Sequence, residues 1–110
     1  MYHTQTRIYR RSLELIDATR EAMSHLPPGF GFLADQLRRA SSGVVLNFAE
    51  GCGYESKRQR RRFFTIARGS ALEVSAAVDV AHRFGVVDQT LVSRIHDLCD
   101  HISAMLYKYR

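Results

Sequence analysis

Phe63, Ala67, Ser70, Val74, Ala77, Ala81 and Phe84 recur at alternating spacings of four and three. A seven-residue repeat held without a break over that length belongs to an α-helix packed along a seam. Its centre is made of small residues, which let a neighbouring helix come close, and a phenylalanine stands at each end as an expected plug. Phe64, Ala71 and Val78 form a second line seven apart. Two apolar lines on one helix imply contact with more than one neighbour. Ser56 is the expected N-cap, with Gln59 at capping-box spacing, and Gly85 is expected to close the helix after Phe84.

Three further segments share this periodicity. The first reads from about Thr6 to His25, with Ile8, Leu15, Ala22 and Leu26 on one line and Tyr9, Leu13, Ile16 and Met23 beside it. Pro27 and Pro28 end it, because proline removes a donor and biases the preceding residue away from helix. The second runs from about Phe32 to Ala49 or Glu50. Leu33, Leu37, Ala40, Val44 and Phe48 face one way, and Val45, Leu46 and Ala49 broaden the stripe. Gly51 and Gly53 are expected to end it in a left-handed cap. The fourth starts after Asp88, its expected N-cap, and reaches about Tyr109. Leu91, Ile95, Leu98, Ile102, Met105 and Tyr109 carry it, with Val92, Cys99 and Leu106 alongside.

No alternation of period two is sustained. The expected fold is all-α: a single domain over residues 1–110, folded as an up-down-up-down antiparallel four-helix bundle. The 110 residues suffice for one core and are too few for two. No stretch approaches the ~18 uncharged apolar residues of a membrane span, and the N-terminus has no apolar run like that of a signal peptide. A cytoplasmic protein without a membrane partner is expected. Two cysteines, Cys52 between glycines and Cys99 on the fourth apolar stripe, are too few for a disulfide framework.

Catalytic chemistry finds little footing. Di-metal bundles use Glu-x-x-His pairs, but Glu50 is followed by Gly53, Glu73 by Ala76 and Glu21 by Ser24. His96, Cys99 and His101 offer poor spacing for three ligands, and Cys99 reads as core. Walker loops, nucleophile elbows and dinucleotide fingerprints are absent. The expectation is a non-enzymatic protein with no catalytic residue, metal or cofactor. Asn47 and Glu50 are polar on a helix that otherwise reads as buried. They are expected to join a structural network with Arg39, Arg68 or a helix terminus.

Charge is the informative feature. The net charge is +5, yet residues 56–68 alone hold six basic residues and no acid, and the remaining ten basic and eleven acidic residues nearly cancel. Lys57, Arg58, Arg60, Arg61 and Arg62 crowd the expected start of the third helix, where the helix dipole disfavours cations. Arg58, Arg61 and Arg62 share a face, while Lys57 and Arg60 point elsewhere from the same turn. Side chains splayed this way suit a phosphate backbone and suggest no base-reading code. Arg68 extends the group. Arg38 joins it as a candidate if the second and third helices are antiparallel, although it sits nearer the far end. Nucleic acid, an acidic protein partner and a plain solvated surface are the three readings of this patch.

Residues 36–81 also resemble a known family. The pattern is Q-L-R-R-A at 36–40, N-F-A-E-G at 47–51, a basic loop, then Arg62, Phe63, Ala67, Gly69, Ser70 and Glu73. It is similar to the four-helix-bundle proteins encoded in intervening sequences of bacterial large-subunit ribosomal RNA genes. That group includes the accessory variability protein of diversity-generating retroelements. Val44-Val45 stands where the family often has Ile-Pro, and Ser75 where a second acid is common. The resemblance implies a ring-like homopentamer and shared structural positions at Arg39, Asn47, Glu50 and Glu73. The retroelement member looks like a basic nucleic-acid-binding partner of a reverse transcriptase. Five copies of one basic patch would act together through effective concentration.

Overall fold

The computed structural model describes residues 2–109. A 3-10 turn at Tyr2–Gln5 leads into four α-helices: α1 (Arg7–Ser24), α2 (Gly31–Cys52), α3 (Lys57–Arg83) and α4 (Gln89–Tyr109). No strand occurs among the described residues. The bundle measures 44 × 22 × 20 Å. Its long axis matches α3, whose 27 residues span about 40 Å. Each helix packs on the next, and α4 closes back on α1. The fold is the expected four-helix bundle. None of the described helices is long and apolar enough to cross a membrane.

Three helix starts are capped by the side chain just outside them. The Tyr9 amide donates to Thr6 Oγ1 at 3.1 Å, the Gln59 amide to Ser56 Oγ at 3.4 Å, and the Leu91 amide to Asp88 Oδ1 at 2.9 Å. Each satisfies one of the donors a helix start leaves without a partner. At the end of α3, Gly85 adopts φ 77°. Its amide reaches His82 O at 2.8 Å, and the Val86 amide reaches Ala81 O at 3.1 Å. This paired closure needs a residue that accepts positive φ, and glycine does so without strain.

Two expectations about glycine and phenylalanine are corrected. Gly51 and Gly53 form no left-handed cap: α2 continues through Cys52, and Gly53 has φ −79°. Gly51 is instead a contact residue. A Cβ there would lie 2.6 Å from Phe64 Cε1, so α2 passes α3 closely only because that side chain is missing. Gly43 works likewise, with Ser70 Oγ 2.7 Å from the place of its missing Cβ. The expected plugs are also displaced. Phe63 is half-buried and Phe84 is exposed, whereas Phe64 on the second line is fully buried. The buried face of α3 is centred between its two lines, on Phe64, Ala67, Ala71, Val74, Ala77, Val78 and Ala81.

The rest of the core comes from Leu37, Val44 and Phe48 of α2, Leu15 of α1, and Ile95, Ile102 and Leu106 of α4, all fully buried. Buried hydroxyls are satisfied locally: Ser12 donates to Ile8 O at 2.7 Å and Thr19 to Ile16 O at 3.0 Å. The core therefore contains polar atoms without cross-helix polar contacts at these positions.

Candidate nucleic-acid interface

The antiparallel order brings four helix ends to one pole of the bundle. Rings from three helices meet there: Phe48 and Phe64 at 5.4 Å, Phe48 and Tyr109 at 5.8 Å, and Phe64 and Tyr109 at 5.6 Å. These contacts join the end of α2, the start of α3 and the end of α4. The start of α1 joins them across a cleft lined by Arg7, Ile8, Met105, Lys108 and Tyr109. At the opposite pole Phe30 meets Phe84 at 5.5 Å, and Arg94 reaches Glu21 at 3.4 Å.

The first pole is basic. Lys57, Arg58, Arg61 and Arg62 surround a depression on α3 whose remaining walls are Thr65 and Ile66. Arg60 turns the other way. Its guanidinium lies 5.9 Å from the ring centres of both Phe64 and Tyr109. It covers the aromatic cluster while keeping its charge, a cation–π arrangement that costs little desolvation. Arg62 sits 5.5 Å from the Phe63 ring, and Phe63 stacks on Tyr54 at 5.3 Å with 11° between planes. Arg68, two turns further along α3, lies 5.0 Å from the Tyr107 ring. Its Nε is buried without a hydrogen-bond partner.

The structure adds cations that the run at 57–62 does not contain. Arg7, Arg10 and Arg11 open α1 and Lys108 lies in the last turn of α4, all at the same pole. Arg10 donates to Gln5 O at 3.1 Å and Arg11 pairs with Glu14 at 2.8 Å. The signal was present in the sequence as "RIYRRS" at 7–12 and "YKY" at 107–109. It becomes legible only when the up-down order is used to ask which ends meet.

Arg38 is not brought to this pole. It lies in the first half of α2 and pairs with Asp35 at 3.0 Å. The four polar positions expected to form one network are split. Gln36 donates to Glu73 Oε2 at 2.6 Å, Arg39 donates to Gln36 Oε1 at 2.7 Å, and Arg39 lies 3.9 Å from the same Glu73 oxygen. This is a surface cluster tying α2 to α3, and exposed pairs of that kind add little stability. Asn47 donates to Gly43 O within its own helix at 2.8 Å. Glu50 is exposed, and its side chain makes no hydrogen bond or ion pair within the described residues. Gln36, the bridge of the cluster, was not among the expected network residues.

Other candidate chemistry is dispersed. Burial pushes the Cys99 thiol up to about 11, with Asp100 adding to the rise and a Ser75 hydrogen bond opposing it. It remains a neutral core residue at ordinary pH. Cys52 is also raised by burial, an effect that Arg60 opposes. His96 Nε2 lies 2.8 Å from Asp79 Oδ1, and His101 is exposed. Among the described residues no three His, Cys, Asp or Glu side chains are grouped to hold a metal ion.

The structure resembles a solved protein of unknown function from the S23 ribosomal protein family of Bacteroides thetaiotaomicron. The TM-score is 0.83 and the sequence identity 16 %, over 93 % of this chain and 96 % of that one. At that identity the likeness speaks for the fold. Comparison of the sequence with curated proteins gives no match. A family profile described as 23S rRNA-intervening sequence protein matches residues 4–108. With nearly the whole chain matched and the helical bundle shared, the protein belongs to the 23S rRNA-intervening sequence protein family.

Proposed function

We propose that this chain is a non-enzymatic, self-associating helical bundle that binds nucleic acid without sequence preference through its basic pole. One observation carries the reading: cations from α1, α3 and α4 converge at one pole, the walls of its α3 depression hold four cations and no acid, and Glu14 nearby is already held by Arg11. Such a pole attracts a polyanion at any register, because phosphates recur along every strand.

Self-association has its own support. Leu72, Ala76 and Val80 on α3 and Phe84 just past its end are spaced by four and all are exposed, with Leu72 at 68 % and Phe84 at 61 %. On α2, Leu46 is 66 % exposed and shares an outward face with Phe32. A helix stripe this apolar, open to water, is what a second copy would cover. Five copies is the number the family resemblance implies. Joined copies would present several basic poles to one strand and raise avidity.

Light scattering, followed by titration into labelled nucleic acid at two salt concentrations, tests both parts. If each chain neutralises four phosphates of duplex, the affinity falls with a log–log slope of about −3.6, so a fourfold rise in salt weakens binding about 150-fold. An oligomer with no salt-sensitive binding would shift the basic pole to an acidic protein partner. A monomer would remove the avidity argument.

A further inference from the structure

The basic pole has an aromatic residue on either side of its cationic depression. Tyr54 lies in the short turn between α2 and α3 and stacks on Phe63, which Arg62 covers. Tyr107 comes from α4 on the other flank of α3, with Arg68 against its ring. Tyr54 is 36 % exposed and Tyr107 52 %. Neither belongs to the core at this pole, where Phe48 and Phe64 are buried and the half-buried Tyr109 packs against them. Between the flanks, the walls of the depression include Ile66, an exposed apolar side chain among four cations.

A duplex gains nothing from this arrangement, since its base faces are hidden in the stack. A single strand offers both phosphates and open base faces, and a base stacks on a tyrosine whatever its identity. We propose that the basic pole takes single-stranded nucleic acid in preference to duplex, with phosphates over the α3 depression and unstacked bases on Tyr54 and Tyr107. The inference rests on the nucleic-acid reading of that pole and names the substrate class it accepts. The strand would cross α3 from the α2 side to the α4 side, and Arg62 and Arg68 would each serve both a ring and a phosphate.

The full chain, in its solution assembly, is titrated into labelled oligothymidylate, oligouridylate and a blunt duplex of equal length. Three proteins are compared at two salt concentrations: wild type, Tyr54→Ala/Tyr107→Ala and Tyr54→Phe/Tyr107→Phe. The expected result is tighter binding of both single strands than of duplex. The alanine variant loses about tenfold or more on single strands and keeps its duplex affinity. The phenylalanine variant behaves like wild type, which separates stacking from any role of the hydroxyls. Equal affinity of wild type for strand and duplex would overturn the inference while leaving the basic-pole reading standing, as would an equal loss on both probes in the alanine variant. Absence of salt-sensitive binding to any probe would overturn the reading of the pole itself, and the inference with it.

Discussion

Gly51 and Gly69 lie on adjacent helices, and the structure gives them opposite roles. A methyl group at Gly51 would press on the buried Phe64 ring, with Cδ1 and Cε1 both within 2.8 Å. Phe64 has no free space to retreat into, being fully buried and stacked on Phe48. Gly51→Ala should therefore cost about 1–3 kcal/mol of stability. A methyl at Gly69 meets nothing within 4 Å, so Gly69→Ala should add about 0.5–1 kcal/mol through the lower entropy of the unfolded chain. Urea unfolding of the two variants would resolve the opposite signs. Gly51 read as a helix stop because a Gly-Cys-Gly run usually is one, and only the nearness of a second helix reveals a close-packing role.

At the scale of the element, α3 carries a conflict between stability and charge. Its first turn contains Lys57, Arg58 and Arg60 and no acid, against the sign of the helix dipole. Ser56 caps one amide at 3.4 Å, a weak bond. If the cations are there for a polyanion, removing them should make the helix more stable and the protein less functional. Lys57→Glu with Arg58→Glu is expected to raise the melting temperature, each change contributing roughly 0.3–1 kcal/mol. The same variant should lose nucleic-acid affinity and part of the salt slope. A drop in stability, or unchanged binding, would count against the proposed use of the run. Helix α3 also shows how much of the fold was legible. Its limits, its Ser56 cap and its Gly85 closure follow from local chemistry, and the structure has all three. The rotation of its buried face was not legible to within one residue. Phe63 and Phe64 are equally apolar, and only the crossing of α2 and α4 decides which ring goes inside.

For the whole molecule, the decisive fact is which ends meet. Arg7 and Lys108 are about a hundred residues apart in sequence, and both line one cleft beside Tyr109. Arg38 is nearer in sequence to the basic run, but it lies in the first half of α2 and pairs with Asp35. Arg7→Ala with Lys108→Ala should therefore lessen the salt slope of nucleic-acid binding by up to about two phosphates, and Arg38→Ala should leave it unchanged. Titration of both variants at two salt concentrations would check the pair. The sequence by itself determined the helices, the Ser56 and Asp88 caps, the Gly85 closure, and the local excess of charge. Each of these depends on residues within a few turns of one another, where periodicity and capping chemistry act directly. The tertiary structure alone decided the membership of the basic pole, the burial of Phe64 over Phe63, and the placing of Tyr54 and Tyr107 on opposite flanks of α3. Those depend on the rotation and crossing of helices, set by close contacts such as Gly51 on Phe64 and Gly43 on Ser70. No single segment carries that information, because it exists only where two segments touch.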